Sequence, residues 1–357
     1  MKNEIEDWEE NVQMLTDSIG AVVPPDGSVS RVRKARHVGA GFDTNIWHTM
    51  AEMGWLAITL DETCGGLGLG LREATALLKG LGKGLTPEPI TPAIMALRLM
   101  ADAGEKILID EALSGEKIIL AAWQATPDSV DPSAGVSIKD ALLYGKKISI
   151  EGGLAAHAFV VTTPHGICIV PKDSKGLTIK STPMHDGTFT TQLIFEGVKT
   201  SSLACTNMER SLFEAQLMHC AYLLGVSERA FEITLAYLRL RKQFGVAIGS
   251  FQALQHRSTE IKIQLELARA SIAAAAGAID TGKSHRHCQM NAHRASTRVK
   301  MLTRLVAREA VQMHGAIGYT DEADIGLYVR KAMTSVGLYG PEYRLRENYM
   351  ALREIQV

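Results

Sequence analysis

Arg241-Lys242-Gln243-Phe244-Gly245, leading through Ile248-Gly249 to Phe251-Gln252-Ala253-Leu254-Gln255, and the later run Gln312-Met313-His314-Gly315-Ala316-Ile317-Gly318-Tyr319-Thr320 carry the most chemical information in the chain. Arg241 closes an apolar helical pattern just before a glycine break, a place from which a guanidinium can meet a pyrophosphate bidentately. Gln312 and Gly315 leave a second helix the same way, and glycine lets backbone N–H groups approach a dinucleotide closely. Two capped helix ends explain the same residues, and the residues alone do not choose between the readings.

The surroundings of both runs are helical. Leu223, Val226, Ala230, Ile233, Tyr237 and Leu240 step by three and four, and Leu224, Phe231, Leu235 and Leu238 form a second apolar row, so this helix is expected to be buried on more than one side. Ile261, Leu265, Ala268, Ile272, Ala275 and Ile279 repeat the stripe, as do Val299, Leu302, Val306, Ala310 and Met313, which predicts an antiparallel bundle. The Ala-rich face Ala273–Ala276 permits close helix approach and points to oligomerisation.

Upstream, the period changes. Ile118–Trp123, Lys147–Ile150, Ala158–Thr163, Gly166–Val170, Leu177–Ile179 and Thr191–Phe195 are short β-rich runs separated by Gly, Pro, Asp and Ser, the pattern of a small antiparallel sandwich or barrel. Before them, from Glu4 to about Leu113, several short helices are implied: an acidic amphipathic start, a Pro24-Pro25-Asp26-Gly27 turn, and a segment from Asn45 running into Trp55–Leu60. The Gly65–Gly70 run lacks the glycine spacing of a dinucleotide loop and reads as a turn. The expected architecture is α+β and multidomain: a helical domain (1–117), a β-barrel or sandwich domain (118–205) and a C-terminal four-helix bundle (206–357).

With 357 residues, 38 Lys+Arg against 39 Asp+Glu and a pI near 6.8, the chain has no basic field for a nucleic-acid backbone or an anionic membrane. Its five cysteines are scattered without a CxxC, which argues against a disulfide framework or a zinc ribbon and for a reducing, cytoplasmic setting. The acidic opening MKNEIEDWEE does not resemble a signal peptide, and Ala270–Ile279 is too short to span a membrane. No Glu-x-x-His pair supports a di-iron site, and no Gly-x-Ser-x-Gly supports a serine hydrolase. The ligand-rich run Gly282-Lys283-Ser284-His285-Arg286-His287-Cys288, with His293 beyond, reads as a solvated connection between helices, so no metal is expected.

The Arg-x-x-Phe-Gly…Phe-Gln run and Gln-x-His-Gly-x-Ile-Gly-Tyr-Thr resemble the acyl-CoA dehydrogenase family, and Ala51-Glu52-Met53-Gly54-Trp55…Glu62-x-x-Gly65-Gly66-x-Gly68 looks like its N-terminal signature. The resemblance implies FAD, an acyl-CoA substrate desaturated between its α and β carbons, an electron-transfer acceptor protein, and a cofactor lying across a subunit interface. It assigns Arg241, Gln243, Phe244, Phe251, Gln252, Gln312, Gly315 and Ala316 to the ADP half of a neighbouring subunit's FAD. The isoalloxazine half belongs to a β-domain motif that Ala121–Asp128 and Ser149-Ile150-Glu151 match poorly.

The catalytic glutamate of most family members would fall at Gly340, with Glu342 two residues beyond; that of the isovaleryl-CoA and long-chain enzymes would fall at Ala215, beside Glu214. Neither position carries a carboxylate, although the reaction needs a base at the α carbon. The chain resembles one subunit type of heteromeric bacterial acyl-CoA dehydrogenases of steroid degradation. This implies an α2β2 partnership with a related subunit that brings the base. A self-sufficient homotetramer using Glu342 or Glu214 and an inactive scaffold paralogue are the alternatives.

Overall fold

The computed structural model describes residues 2–354, with side chains from 8 to 353; the acidic opening therefore lies partly outside the described residues. Six helices come first: α1 (Lys2–Ser18), α2 (Ser30–Ala35), α3 (Thr44–Glu52), α4 (Leu71–Lys83), α5 (Ile90–Asp102) and α6 (Ile107–Leu113). Trp55–Leu60 is entirely buried and receives the glycine run: the N–H groups of Leu67, Gly68 and Leu69 donate to the carbonyls of Ala57, Leu60 and Ile58. A Cβ on Gly66 would lie 2.0 Å from the Leu60 oxygen, so this turn requires glycine for packing.

Strands β1 (Ile119–Ala122), β2 (Val136–Lys139), β3 (Leu142–Glu151), β4 (Ala158–Thr163), β5 (Gly166–Pro171), β6 (Leu177–Pro183), β7 (Phe189–Lys199) and β8 (Ser202–Leu203) form two four-stranded sheets, ordered β1-β4-β5-β8 and β2-β3-β7-β6. The expectation of a purely antiparallel module is corrected at one pair: β1 runs parallel to β4, with Ile119 opposite Ala158 and Ala122 opposite Val161. A parallel neighbour needs a long crossover, here supplied by β2 and β3 in the other sheet. The β3–β7 ladder is irregular between Lys147 and Ile150, where Ser149 takes a φ of 60°. This bulge re-aims the end of β3.

The last part comprises α7 (Met208–Leu240), a hairpin of β9 (Lys242–Gln243) and β10 (Val246–Ala247), α8 (Gln252–Asp280), α9 (His285–His314), α10 (Ile325–Ser335) and α11 (Glu342–Glu354). Up-down-up connection makes α7 and α9 run the same way, with Phe213 beside His285, Ser227 beside Thr303 and Tyr237 beside His314. The loop reading of His285–Cys288 is corrected. These residues form the first turn of α9, because Ser284 caps the helix by accepting from the His287 N–H. Cys288 is buried, and its thiol faces the Ala278 and Lys283 carbonyls.

α7 is the central element, packed against helices of both ends of the chain. It crosses α4 where Gly225 and Gly82 face the Lys79 and Tyr222 carbonyls; added Cβ atoms would lie 1.9 and 2.0 Å from those oxygens. Asp280 at the end of α8 caps α4 by accepting from the Leu71 and Arg72 N–H groups at 2.7 and 3.1 Å, tying the bundle to the N-terminal helices. Among the described residues no helix is long and apolar enough to cross a membrane, and no three His, Cys, Asp or Glu side chains are grouped as metal ligands.

Candidate functional site

The two motif runs meet at one end of the bundle. Arg241 caps the C-terminus of α7, α8 starts at Gln252, and α9 ends at His314, whose carbonyl accepts from the Tyr237 hydroxyl. Arg241, Gln243, Phe244, Phe251, Gln252, Gln312, Gly315 and Ala316 are all exposed there. No hydrogen bond or ion pair of the Arg241 guanidinium occurs among the described residues. Phe244 and Gly245 form the two-residue turn of the β9–β10 hairpin with φ of 52° and 80°, the geometry of a type I′ turn. A phenylalanine is strained in that region. Its ring is 91 % exposed and stands edge-on to Phe251 at 6.2 Å. Leu240, expected in a buried row, is 80 % exposed at the same end.

The second group of residues lies where the β domain meets the bundle. Trp123, at the exit of β1, stacks on Tyr339 of the α10–α11 turn with ring centroids 6.0 Å apart, and the His219 ring of α7 lies 5.0 Å from that of Tyr339. The space among Trp123, Gln124, Ser149, Glu151, Leu338 and Tyr339 is only about 10 Å³. Tyr339 has a φ of 57° and is 5 % exposed, and the Gln216 side-chain amide donates to its carbonyl at 3.1 Å.

Two buried lysines hold these segments. Lys300 of α9 donates to the carbonyls of Val336, Leu338 and Gly340 at 3.0, 2.6 and 2.8 Å. Lys147 of β3 donates to those of Trp123, Pro132 and Ala134 at 2.8, 2.9 and 2.7 Å. Burial pushes Lys300 down to about 8 and Lys147 down to about 7, with Cys220 and Glu342 acting in the opposite direction on Lys300 and Asp131 on Lys147. Sequence reasoning missed both. Lys300 stands within the apolar stripe of Val299 and Leu302, a place where a lysine without a buried acceptor set would be costly.

Behind this contact, Glu151, Asp186 and Lys331 form a charged cluster beside a cavity of about 30 Å³. Lys331 pairs with Asp186 at 2.5 Å, and burial pushes the Glu151 carboxyl up to about 7 despite the nearby Lys331. Burial likewise pushes His219 down to about 3, so its ring is neutral at pH 7, with Nε2 at 2.9 Å from the Ser335 carbonyl.

None of the four base positions offers a free carboxylate. Ala215 is fully buried. Glu214 points elsewhere and is 2 % exposed between the guanidiniums of Arg98 at 3.0 Å and Arg210 at 2.8 Å. Glu342 faces Arg304 at 2.5 Å and Arg346 at 3.6 Å. Gly340 has a φ of 96°, and a Cβ there would lie 2.5 Å from Val130 Cγ1.

The chain matches the family model "Acyl-CoA dehydrogenase, C-terminal domain" over residues 206–349 and "Acyl-CoA dehydrogenase, N-terminal domain" over residues 10–106. It is 28 % identical over 334 residues to acyl-CoA dehydrogenase IpdE2 of Mycolicibacterium smegmatis, covering 93 % of this chain and 95 % of that one. The IpdE2 of Mycobacterium tuberculosis is 26 % identical over 339 residues, with coverage of 92 % and 93 %. Among solved structures, the Tcur3481-Tcur3483 steroid ACAD G363A variant superposes with a TM-score of 0.88 at 23 % identity, covering 98 % and 99 % of the two chains. The ChsE4-ChsE5 complex from Mycobacterium tuberculosis superposes with a TM-score of 0.86 at 22 % identity and 98 % of each chain.

Proposed function

Because this chain belongs to the acyl-CoA dehydrogenase family, we propose that it is the subunit of a heteromer that completes a partner's FAD site and brings no base of its own. The enzyme class is an oxidoreductase acting on a CH–CH bond, and the cofactor is FAD. The residues of the bundle end fit the ADP half of that cofactor. Arg241 has an uncommitted guanidinium for the pyrophosphate, and the Phe244–Phe251 pair presents aromatic faces for a planar base. Gly315, with a φ of 64°, leaves open space where a side chain would stand, and Gln243, Gln252, Gln312 and Ala316 are exposed at the same end of the bundle. When bound, FAD supplies the acceptor for the hydride that leaves the β carbon.

The observation that carries the reading is the state of the carboxylates. α-Proton removal needs a base within hydrogen-bond reach of the substrate. Glu214 and Glu342 are each committed to two arginines, and Ala215 and Gly340 have nothing to offer. The proposed assembly is an α2β2 tetramer in which a related subunit carries the glutamate and passes electrons to an acceptor protein. A bulky, steroid-derived acyl group is proposed as substrate, on the strength of the steroid enzyme among the structural neighbours.

Co-expression with a related chain bearing a glutamate at the position matching Ala215 or Gly340 tests this. The expected result is an α2β2 mass and acyl-CoA-dependent dye reduction only when both chains are present. Turnover by the lone chain that Glu342→Gln or Glu214→Gln abolishes would refute it.

A further inference from the structure

Residues 315–324, which carry Gly315 and Ala316 and lead from α9 into α10, are held by little of their own. All but Gly318 and the half-buried Ala323 are exposed, and the segment closes on itself through short turns such as the one from the Thr320 N–H to the Ile317 carbonyl at 3.2 Å. An exposed connection keeps its conformational freedom unless contacts from outside remove it. Here those contacts come from the other end of the chain. Arg36, just after α2, donates through Nη1 to both Asp321 carboxylate oxygens at 2.8 and 3.1 Å, and Arg330 of α10 donates to the same carboxylate. Arg33 of α2 donates to the Asp321 carbonyl at 2.7 Å and, through Nη2, to Asp324 at 2.8 Å. The Arg36 guanidinium holds the Asp321 carboxyl below its ordinary range.

The arginines are themselves fixed. Arg36 lies against the β6–β7 turn, where a Cβ on Gly187 would stand 2.6 Å from the Arg36 Cβ and Cγ, and the His37 N–H donates to the Gly187 carbonyl at 2.8 Å. Asp186 of that turn pairs with Lys331, the neighbour of Arg330. Helix α2, the β6–β7 turn and α10 thus converge on the base of one exposed segment. Asp321 is 60 % exposed, and ion pairs at such sites add little to global stability. They can still select one position of the segment among several. We infer that Arg33, Arg36 and Arg330, closed on Asp321 and Asp324, form a clamp that sets Gly315 and Ala316 in place for the ADP half of FAD. Arg36 and Asp321 are positioning residues that act through the segment. The inference rests on the assignment of Gln312, Gly315 and Ala316 to that half, and adds what fixes their position.

The test uses the FAD-containing assembly, with FAD affinity read by equilibrium dialysis and segment order by hydrogen exchange of the peptide spanning residues 315–320 in the FAD-free protein. Arg36→Gln leaves the sequence of the ADP segment intact. It is expected to weaken FAD binding about five- to tenfold, the factor by which the binding-competent position is depleted, to speed exchange of that peptide, and to keep the urea midpoint near wild type. Asp321→Asn is expected to do the same from the other side of the contact, and supplies the same measurements if Arg36→Gln does not fold. Asp321→Glu, which keeps the charge, is expected to recover most of the affinity. Wild-type affinity in the folded variants would overturn the clamp, and so would weaker binding with unchanged exchange of the 315–320 peptide. Arg241→Ala in the same assay separates the two readings: affinity lost there and kept in Arg36→Gln removes the clamp alone, whereas affinity kept in Arg241→Ala removes the assignment of the ADP half.

Discussion

Gly340 is one of the positions at which the family resemblance expects a catalytic base, and the structure sets the penalty for putting any side chain there. A non-glycine residue in the left-handed region costs about 1–2 kcal/mol, and φ is 96° at this position. A Cβ would also lie 2.5 Å from Val130 Cγ1, roughly 1 Å inside ordinary carbon–carbon contact. Relieving such overpacking costs typically about 1–3 kcal/mol. Lys300 holds the Gly340 carbonyl, so the turn is not free to swing away. Gly340→Ala is therefore expected to destabilise the chain by about 2–5 kcal/mol in urea unfolding at constant m. Val130→Ala in the same chain removes the clash and leaves only the backbone term, about 1–2 kcal/mol. Gly340→Glu should be at least as costly as alanine and should confer no turnover. If Gly340→Ala unfolds within about 0.5 kcal/mol of wild type, as an unremarkable surface change would, the turn tolerates a side chain and the structural exclusion of a base there is wrong.

Arg241→Ala in the heteromer should lower FAD affinity about ten- to hundredfold, the equivalent of a lost charge-assisted contact of about 1.5–3 kcal/mol, with the unfolding midpoint of the chain unchanged; equilibrium dialysis of FAD measures it, and wild-type affinity would contradict the assignment. Glu151 has its folded carboxyl raised above the ordinary 4.5 to about 7. The folded state therefore holds the proton more tightly than the unfolded state, and this group's contribution to stability is greatest below about 4.5 and falls as pH rises to about 7. Glu151→Gln should raise the melting temperature at pH 8 and narrow its gain toward pH 4.5 in differential scanning fluorimetry; a variant less stable than wild type at pH 8 would mean that the attraction of the ionised carboxylate to Lys331 outweighs the cost of its burial.

The helix–strand–helix order was legible because periods of 3.6 and 2 come from burial, and burial dominates in a chain this long. The ADP-type motifs were legible because they are contiguous. What escaped depends on contacts between distant segments. β2 and β8 are short edge strands with little apolar pattern of their own, and the parallel β1–β4 pairing leaves no mark on either strand. Ser284 did signal the start of α9, yet the run of polar ligands after it suggested a loop. The contact of Trp123 with Tyr339, more than 200 residues apart, and the carbonyls that surround Lys147 and Lys300 are likewise foretold by no local pattern.

The exposed bundle end gives an independent reason to expect a partner there. Leu240, Phe244 and Tyr319 are 80, 91 and 76 % exposed, close to Arg241 and Gln312 along the same two chain segments. Covering a side chain such as leucine or phenylalanine is worth about 1.5–3 kcal/mol. Phe244 in addition holds a strained turn conformation with its ring in solvent, which is unfavourable twice over in an isolated chain. A surface that gathers exposed apolar rings, backbone strain and an unpaired guanidinium is stabilised only when another molecule covers it. FAD alone would satisfy the guanidinium but would leave much of the apolar area in water, whereas a neighbouring β domain carrying the flavin ring would cover both.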